Sequence, residues 1–338
     1  MTDRVTARRK RPTMIDVAQH AGVALRTVSR VVNNDPTVGT TFANRVQAAI
    51  TALGYTPDER ARQLRGGRSG LIGAAVRNLS AGHPVLGALD TTARGHGLTV
   101  LATATADEED REREVVLSMC GRHLDGIVLE PVGDTHQYLS PEIEAGTPIV
   151  AFDRPAGGIM VDTVVSDNAA GIGTAFRHLR GHGHHRIAYI GDEERIFTGH
   201  ERAAAFRACV AASGEPVTGL VHPGVVAPGR IAAALDAALR GPGAATALIT
   251  GNASTTLEVL RHLGPAASSL AIVGFDDFAL ADLLRPAITV IAQDSDTIGR
   301  TAIDLLRHRM ADHTRPVQTV TIGVELIVRG SGERPPDD

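Results

Sequence analysis

The chain has 338 residues, 43% of them hydrophobic and 21% charged, with a mean hydropathy of zero, the make-up of a soluble globular protein. At about 100 to 200 residues per domain, this length predicts two or three domains, each able to bury a core of its own. Cys120 and Cys209 fit no metal-ligand spacing and are too few for a disulfide framework, no window of about 18 apolar residues exists, and the basic stretch from Arg4 to Arg11 meets Pro12-Thr13 with no apolar signal core behind it. A disulfide-stapled, exported or membrane-spanning protein is therefore not expected, and a reducing cytoplasm is.

The net charge of -4 hides a division. Residues 1 to 69 hold 12 basic and 5 acidic side chains, whereas the remainder is acidic, with 22 against 33. A basic module joined to an acidic body points to a polyanion partner for the first part only. Within that module, Thr13 can cap a helix with Met14, Val17 and Ala18 on its apolar face and Asp16 near its positive end. Gly22 breaks it. A second helix carries Leu25, Val28, Val31 and Val32, and a third carries Phe42, Val46, Ala49, Ile50 and Leu53. Two helices joined by a tight glycine turn and braced by a third describe a helix-turn-helix unit over residues 1–57. Residues 58–70 follow as a hinge, with a two-turn helix from Asp58 to Leu64 that is too short to be stable alone.

From Leu71 short apolar runs alternate with amphipathic helical stretches. The runs are 71–76, 98–101, 126–129, 149–152, 187–190, 247–249 and 270–273. Such runs read as parallel strands covered on both faces, so the body, 71–330, is an α/β structure of two doubly wound parallel sheets. Lobe 1 is expected at about 71–166 and 294–322, lobe 2 at about 167–293 and 323–330, and 331–338 as a frayed tail. Ligands in such sheets bind beyond the strands' carboxyl ends. Polar residues stand there: Asp153 and Arg154 after one run, Asn252 after another, Asp276 and Asp277 after a third.

The segment Asp16-Val17-Ala18-Gln19-His20-Ala21-Gly22-Val23, followed by Thr27-Val28-Ser29-Arg30-Val31-Val32-Asn33, closely resembles the DNA-binding head of the lactose-repressor (LacI/GalR) family of bacterial transcription regulators. The resemblance runs through Ala61-Arg62-Gln63-Leu64, similar to that family's hinge helix, and through Phe152-Asp153-Arg154-Pro155, Asp167-Asn168, the stretch 183–191, Arg202 to Phe206 and Gly274 to Asp277, as far as Arg329-Gly330. It implies a periplasmic-binding-protein-like bilobal body behind the head. It also implies that Leu25, Arg26 and Arg30 meet base edges, that Thr27, Ser29 and Asn33 contact phosphates, that Arg62 of the hinge binds DNA, and that Leu64 acts as a wedge in the minor groove. Arginine suits guanine because it can donate two hydrogen bonds to O6 and N7, which makes Arg26 the leading specificity residue.

By the same resemblance the effector lies between the lobes, at Asp153, Arg202, Asn252 and Asp276. Two carboxylates, a guanidinium and an amide suit a ligand rich in hydroxyls, a sugar or sugar derivative. The chain departs from the family pattern at Ala24, Asp58, Phe42-Ala43, His83-Pro84-Val85 and Ala253, so fewer phosphate contacts are expected in the head and a stacking ring in the pocket is in doubt. His178, His182, His184 and His185 invite a metal reading, but no acidic third ligand has the right spacing, and no P-loop, nucleophile elbow or dinucleotide fingerprint is present. Neither metal nor cofactor is expected. The sequence thus reads as a homodimeric repressor of a near-palindromic double-stranded operator, without contact with membrane. An activator, an effector-independent regulator, a sugar-transport protein and a hydrolase remain as alternatives in falling order.

Overall fold

The computed structural model describes residues 11–32, 35–56, 68–79, 83–213, 218–223, 228–241 and 243–336. The chain divides into two compact units, residues 1–69 and 70–338. The first contains α1 (Met14–Ala21), α2 (Leu25–Val32) and α3 (Thr40–Leu53). Thr13 caps α1 through a reciprocal pair, its hydroxyl accepting from the Asp16 N–H while the Thr13 N–H donates to the Asp16 carboxylate at 2.7 Å. A cap of this kind contributes about 1 kcal/mol. Gly22 ends α1 in the left-handed region, φ 59°, where a Cβ would be strained. Arg45 of α3 then donates from Nη2 to the Ala21 and Gly22 carbonyls at 2.6 and 3.2 Å, tying the third helix to the turn between the first two. Val17, Ala18, Ala21, Val28, Val46, Ala49 and Tyr55 form the buried core of this head. Phe42, read from the sequence as part of the apolar face of α3, is half exposed, because it occupies the first turn, beyond the reach of that core.

The second unit opens with β1 (Leu71–Val76), α4 (Pro84–Gly95), β2 (Thr99–Ala104), α5 (Glu109–Gly121), β3 (Gly126–Leu129), α6 (Ser140–Glu144), β4 (Ile149–Phe152) and β5 (Asp162–Ser166). It continues with α7 (Asn168–Gly181), β6 (Arg186–Gly191), α8 (Phe197–Ala212), β7 (Thr218–Pro223), α9 (Pro228–Leu239), β8 (Ala247–Thr250), α10 (Ala253–Leu263), β9 (Ala271–Phe275) and β10 (Thr289–Gln293). The remaining elements are α11 (Ser295–Ala311), β11 (Thr319–Ile322) and β12 (Val324–Ile327). One sheet has the order β11-β5-β4-β3-β1-β2 and is parallel throughout; the other has the order β12-β10-β9-β8-β6-β7, with β12 antiparallel to β10. The chain therefore passes between the sheets three times, after β5, after β10 and at Gly323.

Period-two alternation explains the apolar runs. On β1, β3 and β4, Ile72, Ala74, Val76, Val128, Val150 and Phe152 pack on one side with Leu89 of α4 and Leu306 of α11, while Ala75, Ile127, Leu129, Ile149 and Ala151 pack on the other with Val116 of α5. The second sheet does the same with Tyr189, Ile249, Val273 and Phe275 on one face and Ile190, Leu248 and Ile272 on the other. Gly171 of α7 belongs to this packing: a Cβ there would lie 2.7 Å from the Phe275 ring and 2.9 Å from Ile291. Among the described residues no helix is long and apolar enough to cross a membrane.

Residues 331–336 pack against the second sheet, although the composition of 331–338 reads as a frayed tail. Ser331 is buried, exchanges backbone bonds with Ile272 and Ala287, and donates from its hydroxyl to the Ile272 carbonyl at 2.6 Å. The Glu333 carboxylate accepts from Thr289 and from the Gly330 N–H and faces His178, and the Arg334 carbonyl lies 2.7 Å from Nε2 of the buried His184. The partners lie far back in the chain, beyond the reach of local composition.

Candidate DNA-binding surface and effector cleft

At the start of α2, Leu25 and Arg26 are exposed, and Thr27 and Ser29 are half-buried on the same short helix. Leu25 is 46% exposed beside the exposed Arg26, so both side chains are open to contact. Arg30 is placed differently from expectation. Its Nε donates to Asp35 at 2.8 Å and its Nη2 to Thr37, and the Arg30 bond, with the Thr37 hydroxyl and N–H that also donate to Asp35, holds that carboxyl well below the usual carboxylate range. Arg30 thus braces the turn after α2, and its guanidinium is engaged before any base arrives. Asn33, Arg62 and Leu64, the hinge from Asp58 to Leu64, and Arg8, Arg9 and Lys10 of the basic arm lie outside the described residues.

In the body, the residues following adjacent strands form two charged rows. The first sheet places Asp153 after β4, Glu130 after β3 and Arg77 after β1; the second places Gln293 at the end of β10, Asp276 after β9, Asn252 beyond β8 and Asp192 after β6. Asp153 and Asp276 share a feature: both are non-glycine residues with positive φ, 67° and 68°. Aspartate tolerates this region better than most residues, so both strand ends turn sharply at a carboxylate.

Arg202, on α8, is buried and held on three sides. Its Nε donates to Asn168 at 2.7 Å, its Nη1 donates to the Gly251 carbonyl at 2.5 Å and lies 3.8 Å from Asp276, and its guanidinium carbon sits 3.7 Å from the Phe275 ring centre. The two carboxylates respond to these neighbours in opposite directions. Burial works against charge on Asp153, but Arg154, Arg77 and Arg202 together outweigh it and hold its carboxyl below the ordinary value. Burial pushes Asp276 up, and Arg202 and the Gln293 amide, 2.5 Å away, offset only part of that. Gln293 in turn accepts from Ser166 at the end of β5, so a hydrogen-bonded chain runs from Asp276 to the first crossover between lobes.

Asn252 caps α10, its Oδ1 accepting from the Thr255 N–H at 2.8 Å, and donates to Asp192 at 2.7 Å, which leaves one amide N–H and one lone pair for a ligand. Sequence reasoning passed over Arg77, Glu130 and Asp192, although each directly follows a strand, the rule that singled out Asp153. The Arg77 N–H donates to Glu130 at 2.9 Å, and its Nε bonds Asp107. The histidines are otherwise engaged: His178 with Glu333, His182 with the His178 carbonyl, and His184 with Thr246 and Arg334. Among the described residues no three His, Cys, Asp or Glu side chains are grouped to hold a metal.

A helix-turn-helix head with an exposed reading face, ahead of a two-lobed body whose strand ends carry a ring of polar groups, defines a bilobal DNA-binding transcription regulator. The family profile described as bacterial regulatory proteins, lacI family, matches residues 13–58, and that of the periplasmic binding protein-like domain matches residues 176–332. The HTH-type transcriptional regulator PtxS of Pseudomonas plecoglossicida is 30% identical over 331 residues, covering 96% of each chain. Among solved structures, the lac repressor dimer bound to operator and the anti-inducer ONPF superposes with a TM-score of 0.81 at 23% identity, covering 96% of this chain and 99% of that one. The complex of the transcriptional regulator CelR with cellobiose has a TM-score of 0.65 at 25% identity and covers 95% and 100%. The chain belongs to the lacI family of bacterial regulatory proteins and is a sequence-specific DNA-binding transcription regulator.

Proposed function

We infer that this regulator is a cytoplasmic, homodimeric repressor without enzymatic activity, and that a sugar or sugar derivative bound between the lobes sets its affinity for operator DNA. The observation that carries the reading is the pair Asp153 and Asp276, two half-buried carboxylates of positive φ and opposite pKa shift around the fixed guanidinium of Arg202. Carboxylates in that setting accept from hydroxyls, and the cellobiose complex of a relative supports a carbohydrate occupant.

Leu25 and Arg26 read base edges in the major groove, Thr27, Ser29 and Asn33 hold phosphates, and Arg62 and Leu64 act in the minor groove at the centre of a near-palindrome. Arg30 reads a base only by giving up its bond to Asp35 or by using the N–H groups that this bond leaves. Ligand binding changes the relative angle of the lobes, and the Asp276–Gln293–Ser166 chain carries that change to the crossover. The reading is tested by footprinting the full-length protein on its own genomic DNA with and without a panel of sugars. One protected near-palindrome, released by one sugar, supports it; equal protection of all duplexes contradicts it.

A further inference from the structure

We propose that Asp35 and Thr37 are positioning residues for base readout: they hold one edge of the Arg30 guanidinium, so that its other edge meets a guanine end-on. The inference rests on the reading of Arg30 as a base contact and adds what fixes its orientation. Arg26 and Arg30 stand four residues apart on α2 and share a helix face. The Arg30 side chain is 43% exposed and that of Asp35 33%, so the pair lies at the surface of the head, open to a partner. Nε of Arg30 donates to Asp35 Oδ2 at 2.8 Å, and Nη2 donates to the Thr37 hydroxyl oxygen. That hydroxyl donates in turn to Asp35 Oδ1 at 2.5 Å, and the Thr37 N–H reaches the same oxygen at 2.9 Å. These bonds close a ring.

Local chain geometry sets the ring in place before DNA arrives. The Asp35 N–H donates to the Arg30 carbonyl at 2.9 Å, which seats the carboxylate beside the last turn of α2. Pro36 fixes its own φ, and the Thr37 N–H closes an Asx turn on Asp35, so the backbone holds both acceptors. Nε–H and the adjacent N–H of Nη2 form one edge of the planar guanidinium. With that edge occupied, Nη1 and the outer N–H of Nη2 form the edge that remains. Two parallel donors there match O6 and N7 of guanine. An arginine outside the ring can turn either edge, or a single N–H, to other bases and to phosphate. The Asp35 carboxylate also repels phosphate, so it sharpens discrimination while weakening attachment to DNA in general. The two effects have opposite signs, which separates positioning from a merely structural role.

The probe is the duplex that full-length wild type selects most tightly from a random-sequence library. Its single-base variants, and a random duplex, compete for binding to wild type, Arg30→Ala, Asp35→Ala, Thr37→Val and Thr37→Ser. Arg30→Ala is expected to lose about 5- to 150-fold discrimination at one guanine pair of each half-site. Asp35→Ala and Thr37→Val are expected to lose about 3- to 10-fold at that same pair and nothing at the others. Thr37→Ser keeps the hydroxyl and should match wild type. Asp35→Ala should bind the random duplex at least as tightly as wild type does, and the unfolding transition of the head checks each variant's fold. If Asp35→Ala keeps full discrimination at the Arg30 pair, or loses equally at every pair and on random DNA, the proposal is overturned while the reading of Arg30 stands. If Arg30→Ala relaxes no base pair, Arg30 reads no base, and this inference fails with that reading.

Discussion

Asp276 illustrates how far one side chain's environment decides its behaviour. Burial raises its pKa above the ordinary 3.8, so the free protein resists ionising it. Ligand hydroxyls donate to the ionised form and favour it. Binding therefore releases a proton, and effector affinity should rise as the pH is raised through the Asp276 pKa and level off above it. Calorimetry in buffers of different ionisation enthalpy checks this, and Asp276→Asn should flatten the slope; a slope unchanged in the variant assigns the proton elsewhere. Asp153 has the opposite sign: its lowered pKa contributes stability that is present at neutral pH and lost as the pH falls from 3.8 through its folded value. In the head, Arg26→Ala should cost about 1 to 3 kcal/mol at one operator position and relax specificity there, as measured by competition among single-base variants. A uniform loss across all sequences would place Arg26 on phosphate. The position of Arg26 at the exposed start of α2 was legible from its spacing behind Gly22. The Arg30–Asp35 bond was not, because nothing in a five-residue separation distinguishes a brace from two solvated charges.

Elements were legible where local pattern governs them. The capped α1, the glycine turn and the seven apolar runs all appear close to their sequence positions, since caps, turn residues and doubly buried strands carry their own signals. Strands β5, β10, β11 and β12 carry weaker ones. The edge strand β11 alternates exposed and half-buried residues, and the antiparallel pairing of β12 with β10 is set by tertiary contacts alone. The same reason hid the C-terminal segment. Glu333 pairs with His178 across 155 residues and with Thr289 across 44, and no local reading reaches that far. Glu333→Ala should destabilise the body by about 2 kcal/mol, seen as a fall of roughly 4 to 8 °C in its melting temperature. An unchanged melting temperature would mean that the segment is held by Ser331 alone. Gly22→Ala, at φ 59°, should cost the head about 1 to 2 kcal/mol, read from its own unfolding transition.

For the whole molecule the charge division carries the most information. A basic head and an acidic body partition the two tasks, because phosphate attracts one and is repelled by the other, and the division at Ser69 matches the change in composition. The cleft was half legible. Its first row was traced through Asp153 by the rule that polar residues follow strands, and the same rule, applied to Val76-Arg77 and Leu129-Glu130, reaches the groups that surround it. The central claim is that head and body are energetically linked. The direct test is to measure operator affinity with and without the bound sugar, and sugar affinity with and without the operator, on one preparation at one salt concentration. Linkage requires the two ratios to be equal, and a switch requires them to differ from one, typically by about 5- to 150-fold. If operator and sugar each bind while neither alters the other's affinity, the account of this protein as a ligand-controlled regulator is contradicted.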